Sequence, residues 1–286
     1  MVTTTDEERE LHAWKEETRR YLLKTVDSSI DEALHELERI DFLWGRIRLS
    51  KLAVGPGVKA DIRVEGHLVV SANLELKLGK PSRSTAISCA LQQYCVLNQI
   101  LEFHSIMQAQ LSRLQLLKAF LQGEHDDLLG DDPQCDVDFF LDVARKIFQD
   151  LTKIIHDLRN AANVLRLPSR RRFPYSAYVD HSFKPSLPPE VVIEFSIHRG
   201  ELLMEIFGLG LTQRAVVNIP DGCCTKKELV GCVCMCRAQK VEIVDYISVS
   251  VAIPQVEEML VHVDTQVATL VHIRDNIKAL MDCFAR

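Results

Sequence analysis

Cysteines are the residues of this sequence with the clearest potential for chemistry, and five of the nine lie in GCCTKKELVGCVCMCRAQ, residues 222–239. The last three, Cys232, Cys234 and Cys236, alternate along the chain, so a strand would place them on one face. Thiolates on one face could bind a metal or carry out redox chemistry. Zinc sites usually contain Cys-x-x-Cys pairs or histidines, and neither accompanies this cluster. Because a free thiol also packs well in a core, we favour a cysteine-lined strand and keep a metal- or redox-linked regulator as the alternative.

The rest of the sequence contains no residue pattern that is typical of catalysis. A Walker-type phosphate loop, a G-x-S-x-G elbow and an H-E-x-x-H helix are all missing from it. The ten histidines are scattered, and the paired aspartates within residues 122–134 lack the spacing of a calcium-binding loop. We therefore expect a protein that is not an enzyme, with no catalytic residue, no bound cofactor and no metal ligand.

Three consecutive arginines, Arg170, Arg171 and Arg172, form the one concentrated positive patch of the sequence. One interpretation is a docking site for an acidic or phosphorylated protein surface, or for lipid head groups. The simpler interpretation is a solvated loop, or a loop that pairs with the acidic residues 124–132, because runs of charge usually face water. If the protein has a partner-binding site that the sequence can indicate, these arginines are its candidates.

Composition and charge limit the class of protein. The net charge of −6 argues against a nucleic-acid-binding protein, which would present a basic face. No apolar run approaches the roughly 20 residues that cross a bilayer, so we expect at most peripheral contact with a membrane. The first residues resemble no secretory signal, and an odd number of cysteines suits a reducing compartment. We expect a cytoplasmic protein.

Apolar residues recur at steps of three and four in four segments, which predicts four long helices. These segments are residues 6–44, 84–121, 137–165 and the stretch that begins at Pro254. The apolar seam of the first contains Leu23, Val26, Ile30, Ala33, Leu37, Ile40 and Trp44. Such seams are typical of helices that pack against other helices, either within one chain or in a homodimeric coiled coil.

Apolar and polar residues alternate in the remaining regular stretches, which predicts strands with one face in water. The alternation covers residues 58–64, 68–78, 190–209 with a turn at Arg199-Gly200, and 239–252. We therefore predict an α+β protein with two discontinuous parts. Both chain ends and two central helices would form an antiparallel helical bundle, and two separate segments would form an antiparallel β domain. The predicted bundle contains residues 6–44, 84–166 and 253–286, and the β domain contains residues 45–83 and 167–252.

Three stretches resemble the Rogdi family, which includes the small subunit of the fungal RAVE complex. They are KADIRVEGHLVVSANLELKLGKPS (59–82), LTKIIHDLRNAANVLRLPSRRRFP (151–174) and FKPSLPPEVVIEFSIHRGELLMEIFGL (183–209). Their order and spacing are similar to the family pattern over nearly the whole chain, and none of them is a catalytic motif.

The resemblance implies an elongated fold with a helical bundle and a β domain, and a seam on the N-terminal helix that gave the family its leucine-zipper label. It also implies a non-enzymatic adaptor in a RAVE-like complex that promotes assembly of the vacuolar-type proton ATPase. The partners would be a large WD-repeat DMX-like scaffold protein and peripheral V-ATPase subunits. Such a protein would be cytoplasmic, with peripheral association at vacuolar or endosomal membranes as the further expectation.

Overall fold

The computed structural model describes residues 6–79, 85–125, 128, 137–167, 182–216 and 226–284. Over these ranges the protein is α+β, with four long helical segments and two antiparallel sheets. No helix in the described ranges has the length and apolarity needed to cross a membrane.

The first helical segment runs without a break through three helix types. It consists of α1 (Asp6–Arg20), a π-helical segment (Tyr21–Val26) and α2 (Asp27–Trp44). The predicted seam is buried from Val26 to Ile40, but its first member is Leu22 and not Leu23. A π-helix has more residues per turn than an α-helix, so it changes which residue faces the core. A uniform α-helical period predicts Leu23 at this core position, so the prediction was wrong there.

The other helices are α3 (Asn98–Gly123), α4 (Val137–Arg166) and α5 (Pro254–Phe284). The apolar positions of α4 recur at steps of three and four, and every predicted core position from Val137 to Leu165 is buried. Helix α5 begins at Pro254, as predicted, because proline already lacks the N–H that a first turn leaves unpaired. These helices are long because their apolar stripes continue over several turns and no proline interrupts them.

The larger sheet contains six strands. They are β1 (Arg48–Gly55), β2 (Val58–Glu65), β3 (Leu68–Leu78), β4 (Thr85–Leu91), β5 (Cys95–Val96) and β6 (Phe183–Lys184). Their order is β1-β2-β3-β4-β6, and β5 pairs with β3. One face is buried, and on β2 and β3 its members include Ala60, Ile62, Val64, Ala72, Leu74 and Leu76. This burial confirms the one-faced alternation that the sequence predicts for β2 and β3.

The helix predicted from residue 84 was wrong over the described residues 85–97, because Thr85–Leu91 forms β4, Cys95–Val96 forms β5 and α3 begins only at Asn98. Ile87 and Leu91 are four residues apart, a spacing that fits a helix but is also a multiple of the strand period. Cys89, midway between these two apolar residues, distinguishes a helix from a strand. It is buried and pairs with Leu74 of β3, so residues 87, 89 and 91 follow the period of a strand. The corresponding part of the predicted bundle segment 84–166 is therefore strand.

The smaller sheet contains β7 (Val191–His198), β8 (Glu201–Leu211), β9 (Val233–Cys236) and β10 (Gln239–Ala252), in the order β7-β8-β10-β9. A short 3-10 helix (Lys226–Leu229) precedes β9. The predicted turn at Arg199-Gly200 joins β7 to β8, and both of its residues have positive φ, as a two-residue hairpin turn requires. The N–H groups of this turn donate to the carbonyls of Leu165 and Arg166, so the hairpin caps the end of α4.

The chain divides into two compact units. The first comprises Met1–Phe42, His104–Ala162 and Met259–Arg286, and the second comprises Leu43–Phe103 and Asn163–Glu258. Within the first unit, side chains join the helices. The indole Nε1 of Trp14 donates to the carbonyl of Leu280 at 2.9 Å, and His262 Nδ1 lies 2.9 Å from Glu36 Oε2. In the second unit, the backbone N–H of Gly79 after β3 donates to Asp245 Oδ2 of β10 at 3.0 Å.

Candidate functional site

The cysteine-rich stretch contains a strand, as the alternation of its thiols predicts. Strand β9 pairs with β10 so that Cys234 lies opposite Val241 and Cys236 lies opposite Gln239. Both thiols are buried in an apolar cluster on one face of the smaller sheet. The other members of that cluster are Phe207, Leu209, Leu229, Val241 and Ile243. The two side chains therefore occupy core positions.

Burial also makes these thiols poor nucleophiles and poor ligands. Burial, together with smaller effects of the neighbouring thiols of Cys236 and Cys232, raises the pKa of Cys234 to about 11. Burial likewise raises the pKa of Cys236, against a smaller opposite effect of the Arg237 charge. Metal binding and nucleophilic attack both need the thiolate, which these surroundings disfavour at neutral pH.

The third alternating cysteine, Cys232, precedes β9 and is only partly buried, and its Sγ lies 3.9 Å from the carbonyl of Glu228. Among the residues that the structure describes, no group of three or more histidine, cysteine or acidic side chains is arranged to hold a metal ion. The adjacent Cys223 and Cys224 lie outside the described residues. The geometry of the described thiols favours the core interpretation of the stretch.

The open face of the larger sheet is the second candidate. Antiparallel register brings one residue from each of five strands into a row across it: Leu52, Asp61, Asn73, Ala90 and Lys184. The neighbouring row contains Val54, Lys59, Glu75 and Ser88. These residues share the face opposite the buried one, since side chains alternate along each strand. We call this surface the open face.

Apolar, small and charged side chains are mixed on the open face. On β1, Leu52 is 55% exposed and Val54 is 69% exposed. Lys59 Nζ lies 3.8 Å from Glu75 Oε1, with both side chains largely in water, so this pair contributes little to stability. A shallow depression of about 300 Å³ lies between Leu52 and Lys184, and small residues, Ser88 and Ala90, line its middle.

The chemistry of the open face suits contact with another protein better than a reaction. Its carboxylates, Asp61 and Glu75, are on a solvated surface and not in a closed pocket. Leu52 and Val54 give the face an exposed apolar edge, and the charged residues beside it correspond to the polar rim that surrounds the apolar part of a protein–protein contact surface. Strand alternation alone predicts that β2 and β3 have a wet face. The row from Leu52 to Lys184 could not be predicted, because register decides which residues of distant strands become neighbours.

The candidate partner-binding arginines, Arg170, Arg171 and Arg172, lie outside the described residues. The nearest described residue before them is Leu167, just after the end of α4, and the next one after them is Ser182, just before β6. Their assignment to a docking site stays a prediction.

Comparison with known proteins gives one family. The model described as "Rogdi leucine zipper containing protein" matches residues 50–221, whereas no curated protein matches the chain. The matched residues begin inside β1, include β2 to β8, α3 and α4, and exclude the N-terminal helix and α5. Because the match covers more than half of the 286 residues, this chain belongs to the Rogdi leucine zipper containing protein family.

Proposed function

We propose that this protein is a non-enzymatic adaptor of a RAVE-like complex that promotes assembly of the vacuolar-type proton ATPase. The family match over residues 50–221 is the observation that carries the proposal. The burial of Cys234 and Cys236 supports it indirectly, because the cysteine cluster was the strongest alternative source of chemistry. A protein-interaction role follows from family membership, and the particular complex is the proposed part.

The partners would be a large WD-repeat DMX-like scaffold protein and peripheral V-ATPase subunits. The adaptor would act in the cytoplasm and associate peripherally with vacuolar or endosomal membranes. We also infer that the helices form an elongated, antiparallel bundle built from both chain ends and the two central helices. Two contacts between the N-terminal helical segment and α5 support this arrangement. Trp14 contacts Leu280 near the end of α5, whereas Glu36 contacts His262 near its beginning, as expected for antiparallel helices.

Docking would be the whole mechanism. An adaptor contributes by presenting surfaces to two partners at once, which raises their effective concentration for each other. The open face is the described surface that we assign to this role, because it combines exposed apolar side chains with paired charges. Arg170, Arg171 and Arg172 are the second candidate surface.

The test is affinity purification of the tagged chain from its own cells, followed by quantitative mass spectrometry. We expect a very large WD-repeat protein and peripheral V-ATPase subunits to co-purify. Leu52→Asp combined with Val54→Asp should lower their recovery at least fivefold, whereas Leu211→Asp, at an even more exposed position on the smaller sheet, should not. Replacement of Arg170, Arg171 and Arg172 by alanine should weaken capture without lowering the melting temperature.

Two results would contradict the proposal. If a stable, well-expressed bait recovers neither class of partner, the proposal that this protein belongs to a RAVE-like complex is rejected. If the Leu52→Asp, Val54→Asp variant recovers the partners fully, the protein still belongs to the complex, but the open face is not its docking surface.

A further inference from the structure

A groove between α3 and α4, in the first unit, combines an apolar floor with a charged rim. Its volume is about 270 Å³, and Leu116, Leu117 and Phe120 of α3 line it together with Ile154 of α4. Leu117 and Ile154 are buried, and Phe120 is partly exposed. Leu116 is 71% exposed, more than any other large apolar side chain on the described helices. The groove therefore ends at an apolar side chain that the described parts of the chain leave in water.

The rim of the groove has more cations than anions. Arg113 lies on α3, and Lys146 and Lys153 lie on α4. Arg113 donates to Asp157 at 2.5 Å, and Lys146 pairs with Asp150 at 2.8 Å. Lys153 is exposed and forms no ion pair with any residue that the structure describes. Counting only the residues that the structure describes, one positive charge thus remains uncompensated at this groove, on a chain whose net charge is −6.

The length of the groove along α4 suits a helical ligand. Lys146 and Lys153 are seven residues apart on α4, which is two turns or about 10 Å along the axis. An acidic residue of a second helix packed along α4 would meet the ammonium group of Lys153, whereas Lys146 is already paired with Asp150. The apolar side chains of that helix, at steps of three and four, would then contact Leu116 and Phe120. Amphipathic helices commonly bind in grooves of this kind.

We propose that the α3/α4 groove binds an acidic amphipathic helix of a partner protein. Leu116 and Phe120 provide the apolar contact, and Lys153 provides the charge that selects an acidic ligand. The rim does not suit a membrane surface, since lipid-binding segments usually contain four to eight cations. The proposal rests on the protein-interaction role of this adaptor, but it does not depend on which complex the adaptor joins.

The experiment uses the purified full chain and a displayed library of helical peptides. Each peptide has leucine at steps of three and four, and its other positions vary among acidic, basic and neutral polar residues. Selection on the wild-type chain should enrich peptides with net negative charge. The affinity of a selected peptide should fall at least tenfold with Leu116→Ser and severalfold with Lys153→Glu. Replacing its acidic residues by lysine should abolish binding.

Val261→Ser is the matched control, since Val261 is a 59% exposed apolar residue on α5. It should leave the affinity unchanged, and all three variants should keep the wild-type melting temperature because each position is exposed. The proposal is overturned by any of four results: no enrichment, enrichment of neutral or basic peptides, equal binding by Leu116→Ser, or self-association of the wild-type chain that Leu116→Ser removes. Because no cell extract is involved, failure here is distinguishable from failure to capture V-ATPase partners.

Discussion

At the scale of single residues, Gln99 shows how one side chain can take the place of a strand. It lies at the start of α3, and its Oε1 accepts from the N–H of Ile197 while its Nε2 donates to the carbonyl of the same residue, each at 2.7 Å. The same Nε2 also donates to the carbonyl of Val164 at 2.7 Å. The side-chain amide thereby provides hydrogen-bond partners for backbone groups on the edge strand β7 and for a carbonyl in the last turn of α4.

Replacing Gln99 by leucine keeps the approximate size of the side chain but removes these three hydrogen bonds and a longer one, of 3.5 Å, to the carbonyl of Leu167. Partly buried backbone groups would lose their partners, so we expect a loss of about 2 kcal/mol in the free energy of unfolding. Urea denaturation measures it, and Gln93→Leu, at an exposed position, is the control that should change stability by less than about 0.5 kcal/mol. Equal effects of the two substitutions would show that the bonds of Gln99 contribute nothing specific.

Gly57 and Gly66 form a matched pair for separating backbone strain from steric overlap. Both have positive φ, 74° for Gly57 and 59° for Gly66. A Cβ on Gly57 would lie 2.8 Å from the carbonyl oxygen of Lys77 and 3.1 Å from Ile247 Cδ1, whereas a Cβ on Gly66 would meet nothing within 4 Å. The first glycine is therefore needed for space as well as for conformation.

Gly66→Ala should cost about 1 kcal/mol in the free energy of unfolding, the usual cost of a left-handed backbone for alanine. Gly57→Ala should cost at least about 2 kcal/mol more, because the backbone carbonyl of Lys77 cannot move away without breaking its strand. Thermal unfolding of the two variants side by side measures the difference. Similar melting temperatures would mean that the second unit relaxes around Gly57.

At the scale of elements, strands β4 and β9 each place a thiol in an apolar core. Burial raises the pKa of Cys89 in β4 to about 11, as it does for Cys234 in β9. A thiol whose pKa is higher in the folded state than in the unfolded state stays protonated while the unfolded chain ionises. Both thiols therefore contribute stability below pH 9, and that contribution decreases between about pH 9 and pH 11.

The prediction is tested by urea denaturation at about pH 8 and about pH 10, on either side of the ordinary thiol pKa. Wild-type protein should lose stability on this rise in pH. The double variant Cys89→Ala with Cys234→Ala should be less stable at pH 8, because each substitution leaves a small cavity, but it should lose less on the rise. A loss as large as that of the wild type would assign the pH dependence to groups other than these thiols.

At the scale of the whole molecule, the N-terminal helix packs within its own chain. Leu22, Val26, Ile30, Leu37 and Ile40 are all at most 3% exposed in a single chain. A zipper with a second chain needs the same side chains, and a residue cannot be buried in two interfaces at once. The seam that suggests a homodimeric coiled coil from sequence is thus already occupied.

We accordingly expect light scattering of the purified protein to give the mass of one chain at micromolar concentration. A dimer mass would contradict this expectation and would require either another interface or release of the N-terminal helix. Proteolysis distinguishes these two explanations, because a released helix would be cleaved rapidly between Asp6 and Trp44.

Residue patterns predicted the structure correctly where only one secondary-structure period fits them, and incorrectly where two periods fit or the helix type changes. The α4 stripe repeats through eight turns, and no other period fits it, so its core positions were predicted correctly. Ile87 and Leu91 are four residues apart, a spacing that is found on one face of a helix and also on one face of a strand, and the helix predicted there was wrong. Leu22 displaced Leu23 because a π-helical segment changed the phase of the stripe, which an average periodicity does not show.

The sequence by itself determined the α+β class, most helix and strand positions, and the one-faced character of β2 and β3, because these follow from interactions a few residues apart along the chain. Only the tertiary structure decided which residues became neighbours across strands and helices. Register aligned Leu52 with Lys184 on the open face, and packing of α3 on α4 placed Leu116 beside Lys153. Such proximity depends on side chains that are far apart in sequence fitting together, and local periodicity contains no information about it.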